Sequence, residues 1–219
     1  MGASGGFPID IILFGMIAAF LVLRLKSILG RRTGYERPAQ PVPPREAPAT
    51  AEAAQAVNPA PMQRSIPEPD SARGEVLPRM AAIDRTFAPD AFLSGAEKAF
   101  RMIVAAFAAG DRVTLQPLLG DETWHAFDAA IAAREKEGHV QITEIRSIHA
   151  MGIEAAELNG NTASITVRIV SDQVNMTQTK SGQVVTGTDA VTEINDLWTF
   201  ERDLTHPNPA WHLISARSA

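Results

Sequence analysis

The sequence predicts an α+β fold in which helices pack on one face of a curved antiparallel sheet, preceded by a membrane anchor and a linker. Apolar side chains recur at every third or fourth position from residue 94 to about residue 138, and at every second position after that. Helices followed by an antiparallel meander are typical of α+β domains. An apolar run near the N-terminus predicts the anchor. We therefore divide the chain into residues 1–37, 38–76 and 77–219.

The predicted anchor is a helix over residues 7–23, FPIDIILFGMIAAFLVL. A spanning helix needs about 20 apolar residues, and these seventeen reach about 25 Å. A helix lying in the membrane surface is the poorer interpretation, because residues 11–23 have no polar face. The side chains expected to contact the bilayer interior are Phe7, Ile11, Ile12, Leu13, Phe14, Met16, Ile17, Phe20, Leu21, Val22 and Leu23.

A basic cluster follows the apolar run, and it predicts the orientation of the chain. It consists of Arg24, Lys26, Arg31, Arg32 and Arg37. Basic residues beside a spanning helix stay on the cytoplasmic side, whereas a signal peptide carries its positive charge before the apolar run. We expect a single-pass protein with its N-terminus in the periplasm and the remaining chain in the cytoplasm. The five cations are expected to contact anionic lipid, at about 1 kcal/mol each.

Composition and charge exclude several classes of function. The 219 residues contain no cysteine, which excludes disulfides, thiolate metal sites and a cysteine nucleophile. Residues 1–89 hold 10 Lys and Arg against 8 Asp and Glu, whereas residues 90–219 hold 10 against 17. The C-terminal part therefore carries a net charge of −7, which disfavours binding to nucleic acid.

Residues 38–76 are rich in proline and alanine and poor in large apolar side chains, so they predict a disordered linker. A passive spacer is the preferred interpretation over a docking segment. In residues 77–92, Met80, Ile83 and Phe87 recur at helical spacing, which predicts a short amphipathic helix ending before Pro89. This helix either packs on the domain or binds a partner.

Three helices are predicted in the body of the domain. Ser94 and Glu97 have the S-x-x-E spacing of a capping box that begins the first helix, and Gly110 ends it. Asp111 is expected to cap a short second helix, and Asp121 a third one that stops at Gly138.

Strands are predicted after Gly138. Residues 142–158 form a long strand with a bend at Gly152, and residues 162–169 alternate between apolar and polar side chains after a turn at 159–161. A further strand runs from Val184 to Arg202 after a turn at 180–183, and WHLISA closes the sheet.

Residues 79–219 resemble the Tim44-like domain family, which has the cone-shaped nuclear-transport-factor-2-like (NTF2-like) fold. The motifs are GA-x-x-AF, GD-x-x-x-L, W-T-F-x-R and NP-x-W. They fall on Gly95, Ala96, Ala99 and Phe100; Gly110, Asp111 and Leu115; Trp198, Thr199, Phe200 and Arg202; and Asn208, Pro209 and Trp211. With its anchor, the chain is similar to the bacterial members called TimA-type adaptors.

The resemblance implies a non-enzymatic adaptor at the bacterial inner membrane that recruits a cytoplasmic protein in membrane protein transport or assembly. An Hsp70-type chaperone is the candidate partner, because the mitochondrial relative tethers one. The fold also implies an apolar pocket, which could accept an acyl chain or a hydrophobic peptide. Its candidate lining residues are Phe100, Ile103, Phe107, Trp124, Phe127, Trp198, Phe200 and Trp211. A lipid-binding module is therefore the second hypothesis.

An isomerase is the third hypothesis, because cups of this fold can house acid–base chemistry. Such a site needs a carboxylate base and a phenolic or protonated-acid donor. The one tyrosine, Tyr35, lies beside the anchor, and Glu193 and Asp196 are expected at the rim or in solvent. The five histidines show no H-x-x-x-H spacing and no local carboxylate cluster. No catalytic residue, metal site or cofactor is predicted.

Overall fold

A computed structural model describes residues 62–69, 71 and 74–219. Its helices are α1 (Val76–Ile83), α2 (Pro89–Ala109), α3 (Arg112–Leu115) and α4 (Asp121–Lys136), with a 3-10 turn at Gln116–Leu118. Its strands are β1 (Gln63–Ser65), β2 (His139–Asn159), β3 (Thr162–Thr179), β4 (Val184–Asp203) and β5 (His212–Ser218). The predicted order of helices followed by a strand meander is confirmed, and the domain is α+β.

The five strands form one sheet in the order β1-β2-β3-β4-β5. The pairs from β2 to β5 are antiparallel, as predicted, but β1 pairs with β2 in parallel. The sheet is therefore mixed, which corrects the prediction of a wholly antiparallel sheet. Strand β1 lies inside residues 38–76, so the prediction of a disordered linker is wrong for these three residues, which are too few to produce an alternating pattern.

Gly152 allows β1 to approach β2 closely. Gly152 pairs with Ser65, and a Cβ atom added at Gly152 would lie 3.0 Å from the Ser65 Cβ and 3.1 Å from the Ser65 carbonyl oxygen. The sequence predicts a bend at Gly152, and the structure adds this contact, because glycine in a strand also permits another backbone to come near.

Helix α2 begins earlier than predicted. Pro89 occupies its first turn, where the missing N–H costs nothing, and Ala88 is the N-cap. Ser94 and Glu97 therefore lie inside the helix, and the predicted capping box is wrong. The Ser94 hydroxyl donates to the carbonyl of Asp90 at 2.9 Å, and the Arg64 guanidinium of β1 donates to both Ser94 (2.7 Å) and Glu97 (3.3 Å).

The other helix ends follow the sequence signals more closely. Gly110 ends α2 with φ +71°, a left-handed conformation that suits glycine. The Asp111 carboxylate caps α3 by accepting from the Thr114 N–H at 3.0 Å. For α4 the N-cap is Gly120, so Asp121 is its first residue and not its cap. The predicted turn at 159–161 joins β2 to β3, and the predicted turn at 180–183 joins β3 to β4.

The core lies between the helices and the inner face of the sheet. Ala163, Ile165, Val167 and Ile169 of β3 are all fully buried and alternate with partly exposed residues, as the period of two predicted. Helices α1, α2 and α4 contact β2, and α4 also contacts β5. The helices thus cover one face of the sheet.

Strand β2 contains three irregularities where its pairing with β3 skips a residue. The extra residues are Arg146, His149 and Glu154. At each of these positions, the β2 residues on either side pair with two consecutive residues of β3, so no β3 residue is left to pair with the extra one. Such bulges bend the strand and increase its twist.

The predicted anchor, Phe7–Leu23, and the basic cluster lie outside the described residues. Among residues 62–69, 71 and 74–219, no helix is long and apolar enough to cross a membrane.

Candidate binding site

Half of the predicted pocket residues pack in the hydrophobic core. Phe100, Ile103, Trp198 and Phe200 are almost completely buried. The Phe100 and Trp198 rings make an edge contact with centroids 4.8 Å apart, and Trp198 lies 6.3 Å from Phe200. Rings at these separations and angles stabilise each other beyond the area that they bury. These side chains therefore fill the cup rather than line an open space in it.

The remaining predicted pocket residues, Phe107, Trp124, Phe127 and Trp211, are partly buried against the core. Trp211 packs edge-on against Phe92 at 4.8 Å and lies 6.0 Å from Phe87. Phe92 in turn contacts Phe200 at 6.1 Å. The prediction omitted Phe87 and Phe92, although the helical spacing of residues 80–87 pointed to Phe87.

A second pair of aromatic rings joins α2 to α4. Phe107 and Phe127 lie edge-on at 4.9 Å, and the Arg134 guanidinium lies 5.2 Å from the centre of the Phe107 ring. Arg134 also donates to the carbonyl oxygens of Phe107 (2.7 Å) and Ala108 (3.2 Å), which are among the last of α2. Burial lowers the pKa of Arg134. A cation placed at a helix C-terminus stabilises the helix, so Arg134 stabilises the C-terminal end of α2.

Polar groups continue the inner face of the sheet beyond the aromatic rings. Ser171, Gln173 and Asp196 are all buried, and the Gln173 side-chain amide donates to the Ser171 hydroxyl at 2.8 Å. Asp196 is 2 % exposed and pairs with Ile169, which corrects the expectation that it lies at the rim or in solvent. The Trp198 indole N–H is buried and finds no acceptor among the described residues. The inner face therefore changes from apolar to polar along β3 and β4.

The arginine of the W-T-F-x-R motif forms a buried ion pair. Arg202 and Asp84 have side chains that are 9 % and 10 % exposed, and their closest nitrogen and oxygen atoms are 2.9 Å apart. Hydrogen bonds from Thr86 to Asp84, assisted by the Arg202 charge, lower the pKa of this carboxyl group. The pair joins β4 to the connection between α1 and α2.

The far part of the sheet presents apolar side chains to solvent. Val140, Val184, Val185 and Val191 are all exposed, Val191 by 54 %. Strand β5 pairs with β4 only from Asp196 to Glu201. From residue 184 to residue 194, β4 therefore has β3 as its one neighbour among the described strands. Asp189 and Glu193, both exposed, lie along this same edge.

Sequence spacing missed one group of ionisable side chains. His149, Asp172 and Glu193 lie on β2, β3 and β4, and their potential ligand atoms all fall within 4.8 Å of one another. Local spacing in the sequence predicts no carboxylate cluster near a histidine. The group forms because three strands that are distant in sequence lie side by side in the sheet. Asp172 pairs with Glu193 in the sheet, a register that no local motif reveals.

Among solved structures, the intermembrane-space region of the chloroplast protein ARC6 is similar at 9 % identity and a TM-score of 0.41, covering 58 % of this chain and 97 % of that one. An NTF2-like family protein from Streptomyces avermitilis, described as a candidate dehydratase, is similar at 16 % identity and a TM-score of 0.35, covering 59 % and 96 %. A conserved protein from Planctomyces limnophilus is similar at 15 % identity and a TM-score of 0.33, covering 59 % of this chain and 94 % of that one. No functional conclusion follows from likenesses this distant.

No curated protein matches the sequence. The sequence model of the Tim44-like domain matches residues 73–218, which is most of the chain and nearly all of the described part. This match includes the aromatic core, the Arg202–Asp84 pair and the whole of β2 to β5. The chain therefore belongs to the Tim44-like domain family.

Proposed function

We propose that this protein is a non-enzymatic adaptor, anchored in the bacterial inner membrane, whose Tim44-like domain recruits a protein partner in the cytoplasm. Membership of the family supports an adaptor, and the apolar run with its basic cluster supports the anchor and the orientation. Tethering raises the local concentration of the domain at the membrane, which strengthens weak encounters with a partner. An Hsp70-type chaperone is the first candidate for that partner.

The observation that carries this proposal is the exposed edge of β4. A strand edge with free backbone groups pairs readily with an extended segment of another protein. Residues 184–194 combine such an edge with exposed valines, whereas the predicted pocket is largely filled by its own rings. Docking therefore requires no rearrangement at the edge, but a ligand inside the cup would have to displace packed side chains.

The charge of the domain narrows the chemistry of the partner. Residues 90–219 carry a net charge of −7, and Asp189 and Glu193 are exposed on the edge strand itself. Like charge on a partner would be repelled, and opposite charge would accelerate association. We therefore expect an extended segment that combines apolar side chains at alternate positions with basic residues.

Site-specific photo-crosslinking in intact cells tests this proposal. A photoreactive residue at Val191 of the full-length protein should give a discrete crosslinked protein. The matched control is Val113, a valine that is 85 % exposed on α3, where no such product is expected. The change Val185→Lys should weaken the Val191 product, because it places a charge in the apolar edge. Equal products at Val191 and Val113, or none at Val191, would refute the docking edge.

The lipid-binding hypothesis has one observation in its favour. The buried Trp198 indole N–H lacks a described acceptor, and polar Ser171 and Gln173 lie farther along the same face. A ligand with an apolar body and a polar end would match that change in character. Native mass spectrometry of the full-length protein, released from mild detergent, should then show a bound lipid that is lost in Trp198→Phe. A lipid retained equally by the variant would exclude this site.

The absence of a catalytic role is a further part of the proposal. The acid–base mechanism would need a donor opposite a carboxylate, and the one tyrosine, Tyr35, lies outside the described residues. Asp196 is the buried carboxylate to test, because it lies on the inner face. If Asp196→Asn abolished cellular function while the protein remained folded and kept its Val191 crosslink, the isomerase hypothesis would replace the adaptor.

A further inference from the structure

Three neighbouring strands bring one imidazole and two carboxylates together on the sheet. His149 of β2, Asp172 of β3 and Glu193 of β4 have potential ligand atoms within 4.8 Å of one another. Asp172 alternates with the buried Ser171 and Gln173, so the group lies on the face opposite the core. It is separate from the aromatic cup and from the Arg202–Asp84 pair.

A bulge in β2 places the imidazole in this group. Ile148 pairs with Ser171 and Ala150 pairs with Val170, so His149 is the extra residue between them. Bulges re-aim side chains and recur beside functional sites. The His149 Nε2 lies 2.8 Å from Asp172 Oδ2, and the Ser147 hydroxyl donates to the same carboxylate oxygen at 3.3 Å.

Two neighbouring carboxylates in this group favour the binding of a cation. Asp172 and Glu193 are directly paired across β3 and β4, and like charges in that position repel each other. Among the described lysine and arginine residues, none forms an ion pair with either carboxylate. The imidazole of His149 is a cation only when protonated, but as a neutral group it is a metal ligand.

We propose that His149, Asp172 and Glu193 form a binding site for a divalent transition-metal cation of the Zn²⁺ class. One imidazole nitrogen and two carboxylate oxygens are ligands that Zn²⁺ accepts, with bonds of about 2.0–2.2 Å. Neighbouring ligand atoms of a tetrahedral ion at that bond length lie about 3.3–3.6 Å apart, which falls between the 2.8 Å contact of His149 with Asp172 and the 4.8 Å limit of the group. Mg²⁺ and Ca²⁺ prefer sites made of oxygen atoms, so the imidazole favours Zn²⁺ over both.

Bound Zn²⁺ would join three strands at one level of the sheet. Glu193 lies two residues from the exposed Val191, so the cation would also hold the edge of β4 in place. Removal of metal would then loosen the strand edge without touching the core. This consequence depends on the cation site alone and holds whether or not the edge docks a partner.

Isothermal titration of Zn²⁺ into the metal-free full-length protein, held in detergent micelles, tests the site. One Zn²⁺ per chain is expected, and His149→Ala and Glu193→Gln should each weaken binding at least tenfold. The matched control is His125→Ala, which removes another histidine, on α4, and should leave the affinity unchanged. Excess Mg²⁺ should not displace the Zn²⁺.

The same variants show which result overturns the proposal. His149 is 47 % exposed as a side chain, so His149→Ala should keep the thermal midpoint of the metal-free protein. Zn²⁺ should raise that midpoint in the wild type and in His125→Ala but not in His149→Ala or Glu193→Gln. The absence of stoichiometric binding, or an affinity that is equal in all four proteins, would contradict the site.

Discussion

Asp84→Asn should destabilise the domain strongly, because it leaves Arg202 buried without its counter-charge. The two side chains are about one-tenth exposed and lie 2.9 Å apart, and the Arg202 Nε already lacks an acceptor among the described residues. Removing one member of a buried ion pair costs about 3–5 kcal/mol. Because some of each side chain still reaches solvent, we expect the lower end, about 3 kcal/mol.

The assay is urea unfolding of the full-length protein in mild detergent, followed by tryptophan fluorescence. The double variant Asp84→Asn/Arg202→Met removes both charges, so it should recover part of the loss seen in Asp84→Asn. The amide oxygen of the substituted side chain can still accept the two hydrogen bonds that Thr86 donates to Asp84. Its NH2 group then faces the Arg202 guanidinium, so the variant removes both the charge and the acceptor that Arg202 has in the wild type. A loss of unfolding free energy below about 1 kcal/mol in Asp84→Asn, the value of an exposed pair, would show that the Arg202–Asp84 pair behaves as a surface ion pair.

Three other predictions concern the pH dependence of this pair, a turn glycine and the aromatic core. The pKa of Asp84 is lowered by folding, so its contribution to stability is present above a pH of about 4 and is lost as the pH falls further. Urea midpoints measured between pH 6 and pH 3 should accordingly fall more in the wild type than in Asp84→Asn. Gly187→Ala should lower the free energy of unfolding by at least about 1 kcal/mol. Gly187 has φ +83°, and a Cβ atom there would clash with the Asn175 carbonyl oxygen. An unchanged urea midpoint in this variant would contradict the prediction. Phe100→Ala should cost about 3–5 kcal/mol through the buried contact with Trp198, and a loss equal to that of an exposed residue such as Val113→Ala would count against a packed cup.

The parts of the fold that could be predicted from the sequence are those with a regular repeat. Apolar spacing identified the long helix that ends at Gly110, and alternation identified the buried face of β3. The start of α2 was misplaced because the Ser94 and Glu97 spacing resembles a cap, while Pro89 sets the helix start. Strand β1 was missed because three residues in a proline-rich stretch carry no repeat of their own.

The candidate sites were harder to predict, since they depend on register. The aromatic residues named from the sequence do gather inside the domain, but only the structure shows that they pack against each other. The bulges in β2 could not be read from alternation, because the sequence does not say which residue is extra. Each extra residue carries charge or an imidazole, and each is paired: Arg146 with Glu144, His149 with Asp172, and Glu154 with Arg168.

We propose that an acidic domain on the cytoplasmic side of the inner membrane recruits a protein through the β4 edge. Proximity labelling from an enzyme fused to the C-terminus, in intact cells, tests it most directly when the wild type is compared with Val185→Lys/Val191→Lys. We expect the wild type to label a defined set of cytoplasmic proteins, and the variant to lose the partner while remaining in the membrane. Labelling confined to periplasmic proteins would contradict the proposed orientation, and an identical set of labelled proteins in the variant would contradict docking at the β4 edge.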